Sequence, residues 1–138
     1  MTKEEVLDII KDAGFGFLAT VEGEQPRVRP MMPVLTDDGK KLLLALLKRS
    51  RTIPQVQANP RLEVCFVDRK MWYCRVAGKG SISDNLDNKT FVWNSIPMLR
   101  QYFSGPEDEN YVLMEIDIES VEAMTPHQKN PEFIDLSE

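Results

Sequence analysis

Pro26, Pro30 and Pro33 fall in one short stretch that otherwise reads as a strand over 26–35. Proline has no amide hydrogen and cannot donate to a sheet ladder. This strand is therefore expected to be bulged or irregularly paired. Its surroundings point to a sheet of hairpins. Phe15, Phe17, Ala19 and Val21 alternate with period two before a Glu22-Gly23-Glu24-Gln25 turn, which predicts a strand leading into the proline-rich one. Asp37-Asp38-Gly39 then marks a tight turn. The run 42–47 is apolar at every position and predicts a strand buried on both faces.

Elsewhere the pattern is helical at three places. Thr2 with Glu5 forms a capping-box pattern, Val6, Ile9, Ile10 and Ala13 follow at helical spacing, and Gly14 sits where a helix ends. Ser50 opens a short helix carrying Ile53 and Val56 and stopped by Asn59-Pro60. Leu86, Phe91 and Trp93 predict another, restarted at Ser95-Pro97 and running to Phe103. Between these, residues 61–67 alternate with Leu62, Val64 and Phe66 inward, and 72–82 forms a long strand interrupted by Gly78 and Gly80, as a barrel corner requires. A last strand opposes Met114, Ile116 and Ile118 to Glu115, Asp117 and Glu119. The fold class is thus α+β, mainly β: a six-stranded antiparallel barrel with short flanking helices. A chain of 138 residues fits one domain, 1–138, with a polar tail over 125–138 expected to be weakly ordered.

The bulk properties restrict function. A net charge of −5 lacks the basic footprint of a nucleic-acid binder, though it leaves room for a small phosphorylated ligand needing a few local donors. No signal segment is visible, and the longest apolar run is far short of the roughly 20 residues of a membrane span. The reading is of a cytoplasmic protein with no membrane partner. Cys65 and Cys74 are too few for a disulfide framework or metal site and read as inert thiols. His127, the single histidine, lies in the tail, so no catalytic triad and no metal ligand set can be assembled; no catalytic residue is assigned.

The candidate site rests on arginines. Arg27 and Arg29 are two apart, so on a strand they share a face. Ser50 and Arg51 open the short helix, where an anion meets a hydroxyl and a guanidinium. Solvated charges and an ordinary helix cap are the plainer alternative. Met31 and Met32 could lie under a planar ring or fill a core, and Trp72 and Tyr73 could stack on a ligand or fill a barrel rim.

Gly16-Phe17-Leu18-Ala19-Thr20, Pro26-Arg27-Val28-Arg29-Pro30, the Ser50-Arg51 helix start and Ala58-Asn59-Pro60-Arg61-Leu62 together resemble the FMN-binding split-barrel family related to pyridoxamine 5'-phosphate oxidase. The resemblance implies a six-stranded split barrel, a homodimer with FMN in a groove at its interface, and a small-molecule electron donor and acceptor. It implies that Arg29 meets the flavin phosphate with Ser50 and Arg51, and that Pro30, Met31 and Met32 run along the ring with Leu46 close by. Tyr73 and Trp72 match positions that reach the partner's flavin. Thr52 stands where the family commonly has a lysine, and Val34 where it often has a second basic residue; Arg27, Lys48 or Arg49 could compensate. The tail has no arginine-and-histidine motif, which argues against the vitamin B6 oxidase itself. The resemblance thus implies a flavin-dependent oxidoreductase. The alternatives are a deazaflavin-binding reductase and a non-enzymatic flavin store, redox sensor or interaction module. Haem is disfavoured by the position of the only histidine.

Overall fold

The computed structural model describes residues 1–138. Helix α1 (Lys3–Ala13) is set at both ends by its sequence. The Thr2 hydroxyl accepts from the Glu5 amide, Glu5 returns a bond to the Thr2 amide, and Gly14 closes the helix at φ 76°. Strands β1 (Gly16–Glu22) and β2 (Gln25–Met31) form a hairpin with Glu22 opposite Gln25. β3 (Val34–Leu35), β4 (Lys41–Leu47), helix α2 (Thr52–Ala58), β5 (Arg61–Val67) and β6 (Tyr73–Ser83) follow. Helix α3 (Leu86–Ser95), a 3-10 helix (Pro97–Gln101), β7 (Tyr111–Met124) and β8 (Glu132–Phe133) complete the chain.

All strand pairs are antiparallel, in the order β2-β1-β5-β6-β7-β4-β3, with β8 added to β7. The expected class holds: six long strands are present, and β3 and β8 add two residues each. The two ends of this path, β2 and β3, are consecutive in the chain and joined only by Met32 and Pro33. The cylinder is therefore closed there covalently, with no ladder between β2 and β3. The prolines account for this seam, because Pro30 and Pro33 offer no N–H across it.

Two apolar cores form, one on each side of β4. Leu42, Leu44 and Leu46 point into the barrel with Leu18, Val64 and Phe66, where α1 adds Val6 and Ile9 and α2 adds Val56. Leu43 faces outward into a second cluster with Val92, Ile96, Leu99, Phe103, Tyr111 and Leu113, which fixes α3 and the 3-10 helix on the outside of the sheet. That is why the strand over 42–47 is apolar on both faces. Glu115, only 8% exposed, lies at the edge of this second layer, accepting from Lys41 Nζ at 2.8 Å and Asn88 Nδ2 at 3.0 Å.

Two expectations, for β7 and for the tail, are corrected, while in β1 the alternation holds with Gly16, Leu18 and Thr20 inward and Phe15, Phe17, Ala19 and Val21 on the other face. Phe15 and Phe17 meet edge to face on the outside at 5.6 Å, and the inward Thr20 is satisfied by polar partners described below. In β7 a register shift opposite Ala77 and Gly78 changes the parity, so Met114 and Ile116 are buried before it, Val121 and Ala123 after it, and Ile118 is only half-buried. The tail is not loose. β8 pairs with β7, the Ile134 amide donates to the Val121 carbonyl at 3.0 Å, and Leu136 is 2% exposed inside the barrel core. Its apolar residues are too sparse to show a period, and only the tertiary fit reveals them.

Two fold predictions follow from these contacts. Gly39 has φ +71° and its Cα lies against the Leu136 carbonyl, where a methyl group cannot fit. Gly39→Ala is expected to cost about 2 kcal/mol or more, from strain and from displacement of the tail. Gly105→Ala, in open space, should stay within about 0.5 kcal/mol; paired urea midpoints measure both. For Glu115, burial pushes the carboxyl up, but hydrogen bonds from Lys41, Ser83 and Asn88 outweigh it and hold the pKa below its ordinary value of 4.5. A lowered folded pKa means stabilisation fully present above the ordinary value and lost as pH falls from there through the folded pKa. Glu115→Gln should therefore be less stable by about 1–3 kcal/mol at neutral pH, and urea unfolding in acid should show that gap narrowing.

Candidate functional site

Arg29 is the centre of the site, and its position follows from the β1–β2 register. Leu18 pairs with Arg29 and Thr20 with Arg27, so both arginines lie on the face that Leu18 and Thr20 turn inward. α2 covers this end of the barrel and buries Gln55 to 5% exposure. A closed hydrogen-bond triangle results. Arg29 Nη1 donates to Thr20 Oγ1 at 2.7 Å, Arg29 Nη2 donates to Gln55 Oε1 at 2.6 Å, and the Thr20 hydroxyl donates to the same Gln55 oxygen at 2.7 Å. Nη1 also reaches the Leu18 carbonyl at 3.3 Å. Gln55 Nε2 donates to Glu22 Oε2 at 3.1 Å, so Gln55 is oriented at both ends. Of the five guanidinium hydrogens, three are engaged beneath Arg29, and two remain for a ligand.

Above this triangle is a polar cradle of about 300 Å³ lined by Arg27, Arg29, Ser50, Arg51 and Thr52 among others. Arg27 Nε and Nη2 donate to Glu22 Oε1 at 3.1 and 3.0 Å, and Arg51 Nη2 stands 3.5 Å from the same oxygen. Three guanidinium charges against one carboxylate leave two net positive charges. Burial, then Arg27, lowers the Arg29 pKa against the opposing pull of Glu22, and hydrogen bonds from Arg27 and Gln55 hold the Glu22 carboxyl below its usual range. Both residues stay ionised at neutral pH.

The helix start contributes less than its sequence suggests. The Thr52 amide donates to Ser50 Oγ at 3.2 Å and the Ile53 amide to the Ser50 carbonyl at 3.2 Å, while Pro54 has none to give. The cradle is therefore built from side chains. Thr52 lines it but is 4% exposed. Val34 lies elsewhere, half-buried against the second core. Of the three residues suggested to compensate for them, only Arg27 is in the cradle.

Ser50 also borders an apolar groove of about 650 Å³ along the seam. One wall is Pro30, Met31 and Met32; the floor is the end of β4; the opposite wall is the 3-10 helix region with Ile96, Met98 and Tyr102. Leu46, 3% exposed and packed in the barrel core, offers the groove little beyond its backbone, whereas Ala45 and Leu47 pack toward the outer core. Arg29, Pro30, Met31, Met32, Ser50, Arg51 and Thr52 are thus brought together, with Leu46 at the floor.

Trp72 and Tyr73 are not part of it. Tyr73 lies three strands along the sheet from Pro30, between Val67 and Met124, with its hydroxyl donating to Met124 Sδ at 3.1 Å. Trp72 packs against the barrel core under Lys70, whose Nζ lies 4.2 Å from the ring. Nothing in the sequence order ties Thr20, Glu22 and Gln55 to Arg29; Thr20 as an inward polar residue on an alternating strand is the one available signal. The 3-10 wall was foreshadowed only by the Pro97 restart.

Other candidates fall away. Burial pushes the Cys74 thiol up to about 12 and raises that of Cys65, so neither is poised as a nucleophile. No three of the His, Cys, Asp and Glu side chains gather where they could hold a metal ion. A cleft of about 690 Å³ beside the tail, slightly larger than the groove, is walled by charges of both signs such as Lys40, Asp117, Glu119 and Asp135, and has no convergent set of donors. No helix is long and apolar enough to cross a membrane.

A cationic cradle opening on an apolar slot at the seam of an antiparallel barrel defines a split-barrel protein with a cofactor-sized site. The sequence pattern described as pyridoxamine 5'-phosphate oxidase matches residues 2–125, and the chain belongs to that family. It is 29% identical to general stress protein 26 of Bacillus subtilis (strain 168) over 141 residues, covering 97% of this chain and 96% of that one. It superimposes on the crystal structure of general stress protein 26 from Bacillus anthracis with a TM-score of 0.80 and 29% identity, covering 97% and 98% of the two chains. A pyridoxamine 5'-phosphate oxidase-related, FMN-binding protein from Nostoc punctiforme shares the fold, with a TM-score of 0.72 and 17% identity over 94% and 85% of the chains.

The triangle beneath Arg29 makes a direct prediction. Gln55→Leu removes the shared acceptor of Arg29 and Thr20 and the donor to Glu22, and should destabilise the protein by about 1–3 kcal/mol. Urea denaturation tests this, and an unchanged midpoint would show that the triangle contributes nothing.

Proposed function

We propose that this protein binds FMN and acts as a flavin-dependent oxidoreductase, working as a homodimer with the flavin at the subunit interface. The observation that carries this reading is the continuity, through Ser50, of a cradle holding two net positive charges with an apolar groove. FMN has the matching form: a dianionic phosphate at one end and a flat, largely apolar ring at the other. Arg29 and Arg51 would hold the phosphate by charge-assisted bonds, with the Ser50 hydroxyl and the charge of Arg27 beside them. Pro30, Met31 and Met32 would run along the ring and exclude water from one side. The flavin, when bound, supplies the electron transfer, and the chain orients it and limits access. Family membership and the FMN-binding relative support the cofactor.

Phe15, Phe17 and Val28, each exposed on the outside of the β1–β2 hairpin, support pairing of two copies, since clustered exposed apolar residues mark interaction surfaces. On this reading Trp72 and Tyr73, remote from the groove of their own chain, serve the flavin of the other subunit. The reading remains one of a cytoplasmic protein serving a small-molecule donor and acceptor, with no nucleic acid or membrane partner.

An absorption spectrum of the purified protein, then an FMN titration followed by flavin fluorescence, tests the cofactor. Arg29→Ala and Arg51→Ala should each weaken FMN binding by about tenfold or more, with dimer size unchanged on gel filtration. Full flavin occupancy in both variants would mean the phosphate lies elsewhere. Thermal stabilisation by FMN should also exceed that by a deazaflavin at equal concentration, because the better ligand shifts folding further by mass action.

A further inference from the structure

Two adjacent cations, Lys48 and Arg49, stand beside the groove and take no part in the cradle. None of the ion pairs in the molecule includes Lys48 or Arg49, although both are exposed and adjacent. They project from the tight turn between β4 and α2. The Lys48 amide donates to the Asn110 carbonyl at 2.9 Å, and the Ser50 amide to the Leu47 carbonyl at 2.8 Å, so their backbone is held on both sides.

These side chains line an annex of about 480 Å³ with Leu47, Tyr102 and Asn110, and no carboxylate is among its walls. The neighbouring loop is acidic, but the Asp108 carboxylate is occupied locally. Oδ2 accepts from the Ser104 amide and hydroxyl and Oδ1 from the Asn110 amide. Glu107 and Glu109 are exposed in the same loop and make no ion pair.

The annex is not separate from the groove. Leu47, Arg49 and Tyr102 line both, so the two spaces meet at these three residues. Cradle, groove and annex therefore meet around the β4–α2 turn: Ser50 and Arg51 line the cradle, Arg49 and Ser50 the groove, and Lys48 and Arg49 the annex. A phosphate held by Arg27, Arg29 and Arg51 in the cradle leaves Lys48 and Arg49 without an anion. Tyr102, 57% exposed at the junction, presents a flat amphipathic face to whatever crosses from groove to annex.

We infer that the annex is the anion subsite for the second substrate of the site, an amphipathic anion. Its flat apolar body would lie in the groove against Met98 and Tyr102, and its carboxylate or phosphate would be held by Lys48 and Arg49. This rests on the flavin reading of the cradle and groove, and assigns the substrate class that the flavin would serve.

The probes are naphthoate and its uncharged counterpart naphthalenemethanol, titrated calorimetrically into FMN-loaded protein. The wild type should bind the acid about tenfold more tightly than the alcohol, as one charge-assisted contact implies, and the preference should shrink with added salt. In the variant Lys48→Gln, whose side chain lines the annex and not the groove, the acid should lose most of its preference over the alcohol, while alcohol binding and FMN occupancy stay as in wild type. Equal affinity for both probes in wild type, no binding of either, or a preference that survives Lys48→Gln undiminished would overturn the inference. FMN uptake is read independently from the flavin spectrum. If it fails while the acid preference persists in flavin-free protein, the flavin reading falls and the anion is no co-substrate. If it succeeds and the preference is absent, the annex assignment alone falls.

Discussion

The structure depends on a seam. A sheet curled into a barrel normally closes by pairing its first and last strands, and here those strands are joined by a two-residue link that cannot pair. Pro30 and Pro33 remove the amides that would be needed on either side. Closing the cylinder by chain instead of by ladder leaves an apolar cleft beside β2 that neither core fills. The groove follows from this omission, and the residues that border it, Pro30, Met31 and Met32, are the ones that withhold the closure.

Around the seam the two cores take separate tasks. The barrel core, with α1, α2 and the tail, positions the underside of Arg29 by fixing Thr20 and Gln55. The outer core holds the 3-10 helix against β4 and gives the groove its far wall. β4 is the shared partition, which requires apolar side chains on both faces. The polar residues follow the same logic. Every donor that Arg29 directs inward is matched, and so is the buried carboxylate of Glu115, consistent with the high cost of leaving such groups unpaired.

Much of this was legible in the sequence because the signals were local. The capping box at Thr2, the alternation of β5 and the shared face of Arg27 and Arg29 depend on spacing alone, and each appears in the fold. What was hidden depended on tertiary partners. The alternation of β1 left its inward face open, since Thr20 can turn inward only because Gln55 and Arg29 meet it there. Gln55 looked like a surface residue of a short helix until that helix was placed over the barrel end. The tail had too few apolar residues to show a period, yet Leu136 needed only one gap in the core. Of the site residues, the cradle and the Pro30–Met32 wall come together as expected, whereas Trp72 and Tyr73 lie outside the groove of their own chain.

A hydrogen-bonded ladder holds neighbouring strands near a fixed spacing of about 4.8 Å, so most of this barrel has a set circumference. The link through Met32 and Pro33 obeys no such ruler. Rotation about a few backbone torsions can change the gape between β2 and β3 without breaking a single sheet hydrogen bond. The barrel thus behaves mechanically as a split ring, stiff around its body and compliant at its cut, and the softest direction of the molecule is the one along which its largest apolar opening widens or narrows.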